Sequence, residues 1–265
     1  MEFLGHAHAL RAAILACGLT WCGPATNATG AILQISGALE LATEPAEPFG
    51  LSARRIYFGG ILTKWLSVQQ HFDDEQVQLA LCDGDREHCA SDAALQFLDI
   101  VDTARQRDGR ARLGQINRAI NLAIRPMSDL AQFGEIDVWS SPLVTFYRGA
   151  GDCEDYAIAK YVALRMTGFP PEDLRIVVLE DVLRGEGHAV AAARLDGHWL
   201  ILDNRRMAMV EDVSLRNYRA LFVIDQFGVM EYSDTPLIAD LPGHDATLAS
   251  SLIPTGLRGA VAGSN

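Results

Sequence analysis

What this chain lacks narrows its class before any motif is read. Beyond residues 1–28 no stretch approaches the ~18 uninterrupted apolar residues that a bilayer-crossing helix requires. No transmembrane segment is therefore expected. Positive charge is short: 22 Lys and Arg against 34 Asp and Glu leave a formal charge of −12. A surface built to bind phosphates needs the opposite balance, so nucleic acid is excluded as an expected partner. Internal repeats are absent, and cysteines number only five in 265 residues. Against these absences, 49% hydrophobic and 21% charged residues describe an ordinary globular protein with ample core for one large domain or two small ones.

The first 28 residues differ from the rest. Ala12 to Trp21 is a short apolar run preceded by Arg11 and followed by Pro24, Ala25, Thr26 and Ala28. That is the pattern of a cleavable export signal, too short to span a membrane. Glu2 offsets Arg11, which thins the positive segment, and Leu15 stands where a lipoprotein signal around Cys17 would want a small residue. The cysteines agree with export. Cys17 and Cys22 fall in this segment, and Cys82 and Cys89 bracket the polar loop 83–88 as a natural small-loop disulfide in an oxidising compartment. A zinc site using Cys82, His88 and Cys89 would lack a fourth ligand and the usual spacing. Cys153 is left as the odd thiol.

Residues 29–58, with Pro45 and Pro48, show no readable period, and a domain is expected over 59–240. Its first half reads as helices. Leu62, Trp65 and Leu66 mark one; Ala94, Phe97, Leu98 and Val101 a second; Leu113, Ile116, Ile120, Ala123 and Ile124 a third, stopped by Pro126. Ser128 to Phe133 adds a short turn, and the segment from Asp137 leads through loop to Gly151. A further helix starts near Cys153, with Tyr156, Ala159, Val162, Ala163 and Met166 on one buried face and Gly168, Pro170 and Pro171 closing it. Strands follow: Leu174–Leu179, His188–Leu195, His198–Asp203, Leu221–Asp225 and Gly228–Tyr232. Asp196-Gly197 between two of them is a strong hairpin signal. Helices first and strands later predict an α+β fold. Residues 241–265, small and polar, read as a disordered tail.

The chemistry converges on Gly151-Asp152-Cys153-Glu154-Asp155. Asp152 suits an N-cap with Asp155 as its capping-box partner, which puts Cys153 in the first helical turn. There backbone N–H groups and the helix dipole favour a thiolate. The hairpin supplies partners. With a two-residue loop, paired positions sum to 393, which makes His188 and Asp203 diagonal neighbours on one face, roughly 7–8 Å apart at the backbone. Cys153, His188 and Asp203 then supply a nucleophile, a base and an orienting carboxylate. The N–H of Cys153 is one oxyanion donor, with Trp139 as a second candidate. The plain alternatives are a small buried cysteine and a structurally satisfied histidine. Asp152, Glu154 and Asp155 crowd the thiol with negative charge, which opposes its ionisation; they are either helix caps or oxygen ligands for a hard cation such as Ca²⁺.

The segments Asn121 to Leu130, Trp139-Ser140-Ser141-Pro142, Gly151 to Tyr161, His188-Ala189-Val190 and Leu202-Asp203-Asn204 together resemble the bacterial transglutaminase-like cysteine proteinases, and among them the LapG-type periplasmic adhesin proteases. The resemblance spans about residues 55–235. It implies a papain-like core with helices packed on an antiparallel sheet, and a triad of Cys153, His188 and Asp203. It implies Ca²⁺ held by Asp152 and Glu154, with Asp155 a further candidate ligand. It also implies cleavage of a large surface adhesin near its N-terminus at a paired-alanine site, which releases biofilm cells. Control by an inner-membrane cyclic-di-GMP receptor and a periplasmic location follow in the same way. Two other functions stay open: acyl transfer to an amine by the same triad, and a catalytically silent binding module.

Overall fold

The computed structural model describes residues 47–233. The expected export signal, Cys17 and Cys22, most of 29–58 and the expected tail lie outside the described residues. Six helices and nine strands follow in the order β1 (Ala53–Arg55), α1 (Gly60–Gly84), α2 (Asp92–Arg105), α3 (Gly109–Ala123), β2 (Arg125–Pro126), α4 (Asp129–Phe133), α5 (Pro142–Arg148), β3 (Ala150–Gly151), α6 (Cys153–Met166), β4 (Leu174–Asp181), β5 (Glu186–Leu195), β6 (His198–Leu202), β7 (Val210–Glu211), β8 (Tyr218–Asp225) and β9 (Gly228–Tyr232). Seven strands form one sheet in the order β1-β9-β8-β4-β5-β6-β7, with every pairing antiparallel. Short β2 and β3 pair in parallel apart from it. The fold is α+β with a papain-like core, as expected. Among the described residues no helix is long and apolar enough to cross a membrane.

Helix α6 is the centre of the helical layer. Every residue from Glu154 to Leu164 is buried, so the expectation of a single buried face is corrected. The helix packs against β5 and β4 on one side and α2, α3 and α5 on the others. A helix covered all round cannot show one apolar stripe, which is why a face-counting argument understated it. Gly168, in the left-handed region with φ 80°, ends it, and the Phe169 N–H reaches back to the Leu164 carbonyl at 3.2 Å. In α1 the inward row is Trp65, Val68, Phe72, Leu79 and Cys82, whereas Leu66, read as inward, is half exposed.

Two segments read as irregular are ordered. Pro142–Arg148 is helix α5, with Pro142 in its first turn. Ala150-Gly151 is β3, which pairs with the two residues after α3 and so ties the entrance of α6 to that helix. Within 29–58, the described part joins the domain, and the boundary set at residue 59 falls too late. β1 pairs with β9, Phe49 enters the core on the sheet face away from the helices, and its N–H donates to Asp212 Oδ2 at 2.6 Å. These contacts are all with residues more than 160 positions away, so no local period could have announced them.

Cys82 and Cys89 form a disulfide that closes the α1–α2 turn. Closing so short a loop stabilises the native state by about 2 kcal/mol through the chain entropy removed from the unfolded state. Cys82→Ser/Cys89→Ser should therefore lower the unfolding free energy by that increment, read as a lower urea midpoint, while leaving the far-ultraviolet spectrum unchanged. Urea titration of both proteins checks it.

Candidate active site

The hairpin has the predicted register. Leu195 pairs with His198 and Ala191 with Leu202, and Asp196 and Gly197 both take positive φ, 53° and 83°. The β5–β6 ladder ends at Leu202, so the pairing does not extend to His188. From there β5 continues against β4, with His188 opposite Leu179, and the chain turns away at Asp203. The two side chains still meet: His188 Nε2 lies 3.0 Å from Asp203 Oδ1, both residues being 2% exposed. Asp203 Oδ1 also accepts the Arg205 N–H at 2.9 Å. Burial alone would raise the Asp203 carboxyl. The hydrogen bond and charge of His188, the Arg205 N–H and the Lys160 ammonium outweigh it and hold the group below the usual carboxylate range. With Nε2 bonded to a carboxylate, the neutral form of the ring carries its proton on that nitrogen and leaves the lone pair on Nδ1. Nδ1 is buried and has no hydrogen-bond partner.

Cys153 is the first residue of α6 and the free cysteine among the described residues. It shares with His188 a cavity of about 740 Å³, walled by Ile61, Leu130, Ile136, Trp139, Val178 and Phe222. A register shift in the β4–β8 ladder lies directly beside Val178, and Phe222 faces it across the strands. Such bulges re-aim side chains next to sites. The Cys153 thiol donates to Glu154 Oε2 at 3.1 Å. Burial first, then the charges of Glu154 and Asp152, push the thiol well above its ordinary range; the Ala189 N–H opposes this. Trp139, the second oxyanion candidate, lines the cavity, but its indole N–H is taken by Asp137 Oδ1 at 2.9 Å.

The acidic residues separate into two groups. Asp129, Asp152 and Glu154 present carboxylate oxygens that all lie within 4.8 Å of one another. Asp129 Oδ1 and Asp152 Oδ1 are buried without partners. Burial, then the charge and hydrogen bond of Glu154, raise the Asp152 carboxyl to about 8, and burial raises Glu154. Orphaned anionic oxygens packed this closely are the donor set of a hard divalent cation, and the residues fit Ca²⁺. Asp155, expected in this set, is held elsewhere. Its Oδ1 accepts the Ser140 N–H at 2.9 Å, and the Asp152 N–H also bonds it, which is the reciprocal half of a capping box. Asp152 itself, read as the N-cap, makes no side-chain cap bond. Asp129 was missed as a partner. It is a buried acid at the start of α4, which follows β2, and the pairing of β2 with β3 ties that segment to the residues just before α6.

Two asparagines on α3 hold the loop that carries Asp203. Asn121 Nδ2 donates to the Asp203 and Arg206 carbonyls, both at 3.0 Å, and Asn117 Nδ2 to those of Arg206 and Met207 at 2.9 and 3.2 Å. Helix-face asparagines four apart were the only signal in the sequence for this clamp.

A cysteine at the head of a buried helix, with a histidine–carboxylate pair on the adjoining sheet, defines the papain-like class of the transglutaminase type. The profile described as bacterial transglutaminase-like cysteine proteinase BTLCP matches residues 77–226, more than half the chain, and the chain belongs to that family. It is a cysteine peptidase and acts on protein. Among solved structures, Legionella pneumophila LapG aligns at TM-score 0.50 with 21% identity, covering 60% of this chain and 88% of that one. Its EGTA-treated form gives 0.50 and 21%, covering 66% and 96%. A calcium-bound form gives 0.48 and 22%, covering 60% and 88%. The first two show a shared fold. No curated protein matches.

Gly151 seats this assembly. A Cβ there would meet Asp155 Cβ and Oδ2 at 2.8 Å and Thr145 Cγ2 at 3.2 Å. Gly151→Ala should cost about 1–3 kcal/mol by overpacking and displace Asp155 from its backbone donors. Chemical denaturation, together with the rate of Cys153 alkylation by iodoacetamide, measures both effects.

Proposed function

We propose that the protein is an exported, periplasmic, calcium-dependent cysteine endopeptidase. Its substrate is the N-terminal region of a large surface adhesin, cut at a paired-alanine site to release biofilm cells. An inner-membrane cyclic-di-GMP receptor holds it in check. The observation that carries the catalytic part is the buried His188–Asp203 pair with an unpartnered Nδ1, sharing one cavity with the free thiol of Cys153. The substrate, receptor and location rest on the sequence resemblance. A cavity walled largely by apolar side chains is compatible with small, uncharged residues at the cut.

The groups divide the work as follows. His188 Nδ1 takes the proton of Cys153, and the thiolate attacks the peptide carbonyl carbon. The N–H of Cys153 at the head of α6 steadies the oxyanion. The imidazolium, held by Asp203, returns its proton to the leaving amine, and the resulting thioester is hydrolysed by a water that His188 deprotonates. Asp129, Asp152 and Glu154 would hold the Ca²⁺, which would offset the negative charge beside the thiol and compete with it for the Glu154 carboxylate.

Cys153→Ala should abolish cleavage with the fold intact. Asp203→Asn should lose roughly 10²–10⁴-fold in kcat by spoiling the imidazole tautomer. The deciding assay incubates the mature protein with an adhesin N-terminal region, with Ca²⁺ or EGTA, and defines fragments by mass. Cleavage that needs both Ca²⁺ and Cys153 supports the reading. Fragments that form equally in EGTA would remove the metal from it. Incorporation of an amine without fragments would replace it with acyl transfer.

Removing the metal should also make stability pH-dependent. The folded carboxyls of Asp152 and Asp155, at about 8 and about 7, keep protons that the unfolded chain releases near pH 4. The folded state therefore binds more protons between these limits, and stability falls as pH rises through them. The melting temperature in EGTA should drop from pH 5 to pH 8, and Ca²⁺ should remove the part of that slope that Asp152 contributes. Thermal melts across the range test it.

A further inference from the structure

The chain carries 22 Lys and Arg, and only two of them, Lys64 and Lys160, are lysines. Lys64 pairs with Asp137 at the cavity. Lys160 is 0% exposed, among the driest positions in the protein. It lies seven residues after Cys153, two turns along the same side of α6, the helix that packs on β5. Its Nζ donates to the carbonyl of Leu202, the residue before Asp203, at 3.3 Å, and sits 5.7 Å from the centroid of the Tyr156 ring. Asp203 is the charged group that acts on it, and its other polar neighbours are that carbonyl and the Tyr156 face.

Packing does not account for this residue. A buried ammonium costs several kcal/mol unless it is paired, and Leu or Met would fill the same volume without that cost. Nor does one carbonyl at 3.3 Å need a cation to satisfy it. What distinguishes Lys160 is its field. In a dry interior a positive charge near Asp203 favours the carboxylate, adding to the hydrogen bond and charge of His188 and to the Arg205 N–H.

We propose that Lys160 is a positioning residue for the peptidase reaction: its ammonium keeps Asp203 ionised and in place, and through Asp203 keeps the His188 Nδ1 lone pair available to the thiol of Cys153. Cys153 and Lys160 thus reach the histidine–carboxylate pair from one helix, the first at its nucleophilic end and the second at its anionic end. The proposal rests on the triad reading above. Burial pulls the lysine down to about 7 against the opposing pull of Asp203, so the ammonium is present below about pH 7 and is lost above it.

The test follows Cys153 alkylation by iodoacetamide from pH 5 to 9, which needs no identified substrate, in Lys160→Met, Lys160→Gln and Asp203→Asn. Lys160→Met should slow alkylation about tenfold at pH 6, where the ammonium is charged, and move its acid limb by about one pH unit, because the His188–Asp203 pair loses a buried positive charge. Lys160→Gln, which can still donate to the Leu202 carbonyl, should shift the limb equally. A merely structural lysine would lower the melting temperature and leave the limb in place. Folded Lys160→Met with the wild-type rate and limb would overturn the proposal. ¹⁵N-lysine spectra give a second measure that needs no lysine variant, since only two ammonium signals have to be assigned. The Lys160 titration should move to lower pH in Asp203→Asn, and an unmoved titration would overturn the coupling. If Asp203→Asn alkylates like wild type, the triad reading itself fails. If it is slowed while Lys160→Met is not, this inference alone fails.

Discussion

Placing the first turn of α6 inside the protein, with three carboxylates around a thiol, sets the terms for everything near it. Asp152 and Glu154 share a small volume with Asp129, and two of their oxygens have no partner. Left alone, these charges repel, hold protons and raise the thiol they surround. The helix dipole and the Ala189 N–H oppose them with much smaller partial charges. A site of this kind is stable and reactive only with compensating positive charge nearby. The donor set beside Cys153 fits a hard cation, and a histidine shares its cavity, with a buried lysine two turns further along the same helix.

The scaffold supplies rigidity where that balance needs it. The β2–β3 pair locks Gly149 to Gly151 against the end of α3, through the Arg125 and Met127 N–H groups donating to the Gly149 and Gly151 carbonyls at 3.0 and 2.9 Å. Asp155 ties the same turn to Ser140, and Tyr156 Oη donates to the Ile124 carbonyl at 2.5 Å. On the opposite wall Asn117 and Asn121 hold the loop after β6, so that Asp203 is gripped by its backbone as well as its carboxylate. The disulfide at the α1–α2 turn lies outside this shell, and the small domain core does not depend on it alone.

Much of this was legible one residue at a time. Asp196-Gly197 dictates a two-residue turn and that turn dictates the register, but the ladder stops at Leu202, and His188 meets Asp203 where the chain leaves β6. Cys153 follows from a capping pattern. The limits were equally physical. Asp155 and Asp129 exchange places in the acidic cluster because a side chain at the third helical position can reach back to the N-cap N–H, whereas Asp129 arrives from another element. Helix α5 went unread because seven residues are too few to display a period. Lys160 carries no signal of its own in the sequence, and its burial follows only from all sides of α6 being covered.

Local rules, which depend only on near neighbours, therefore settled most of the longer strands and helices, the hairpin geometry, the head of α6 and the residues able to act as nucleophile, base and carboxylate. Contacts between distant parts of the chain decided the rest: the outer sheet strand formed by residues 53–55, the carboxylate that joins Asp152 and Glu154, and the burial that turns a lysine into a partner for Asp203. A sequence records which groups exist and how neighbours constrain one another. Desolvation and charge proximity arise only when segments far apart are packed together, and those two effects set the protonation states on which this site depends.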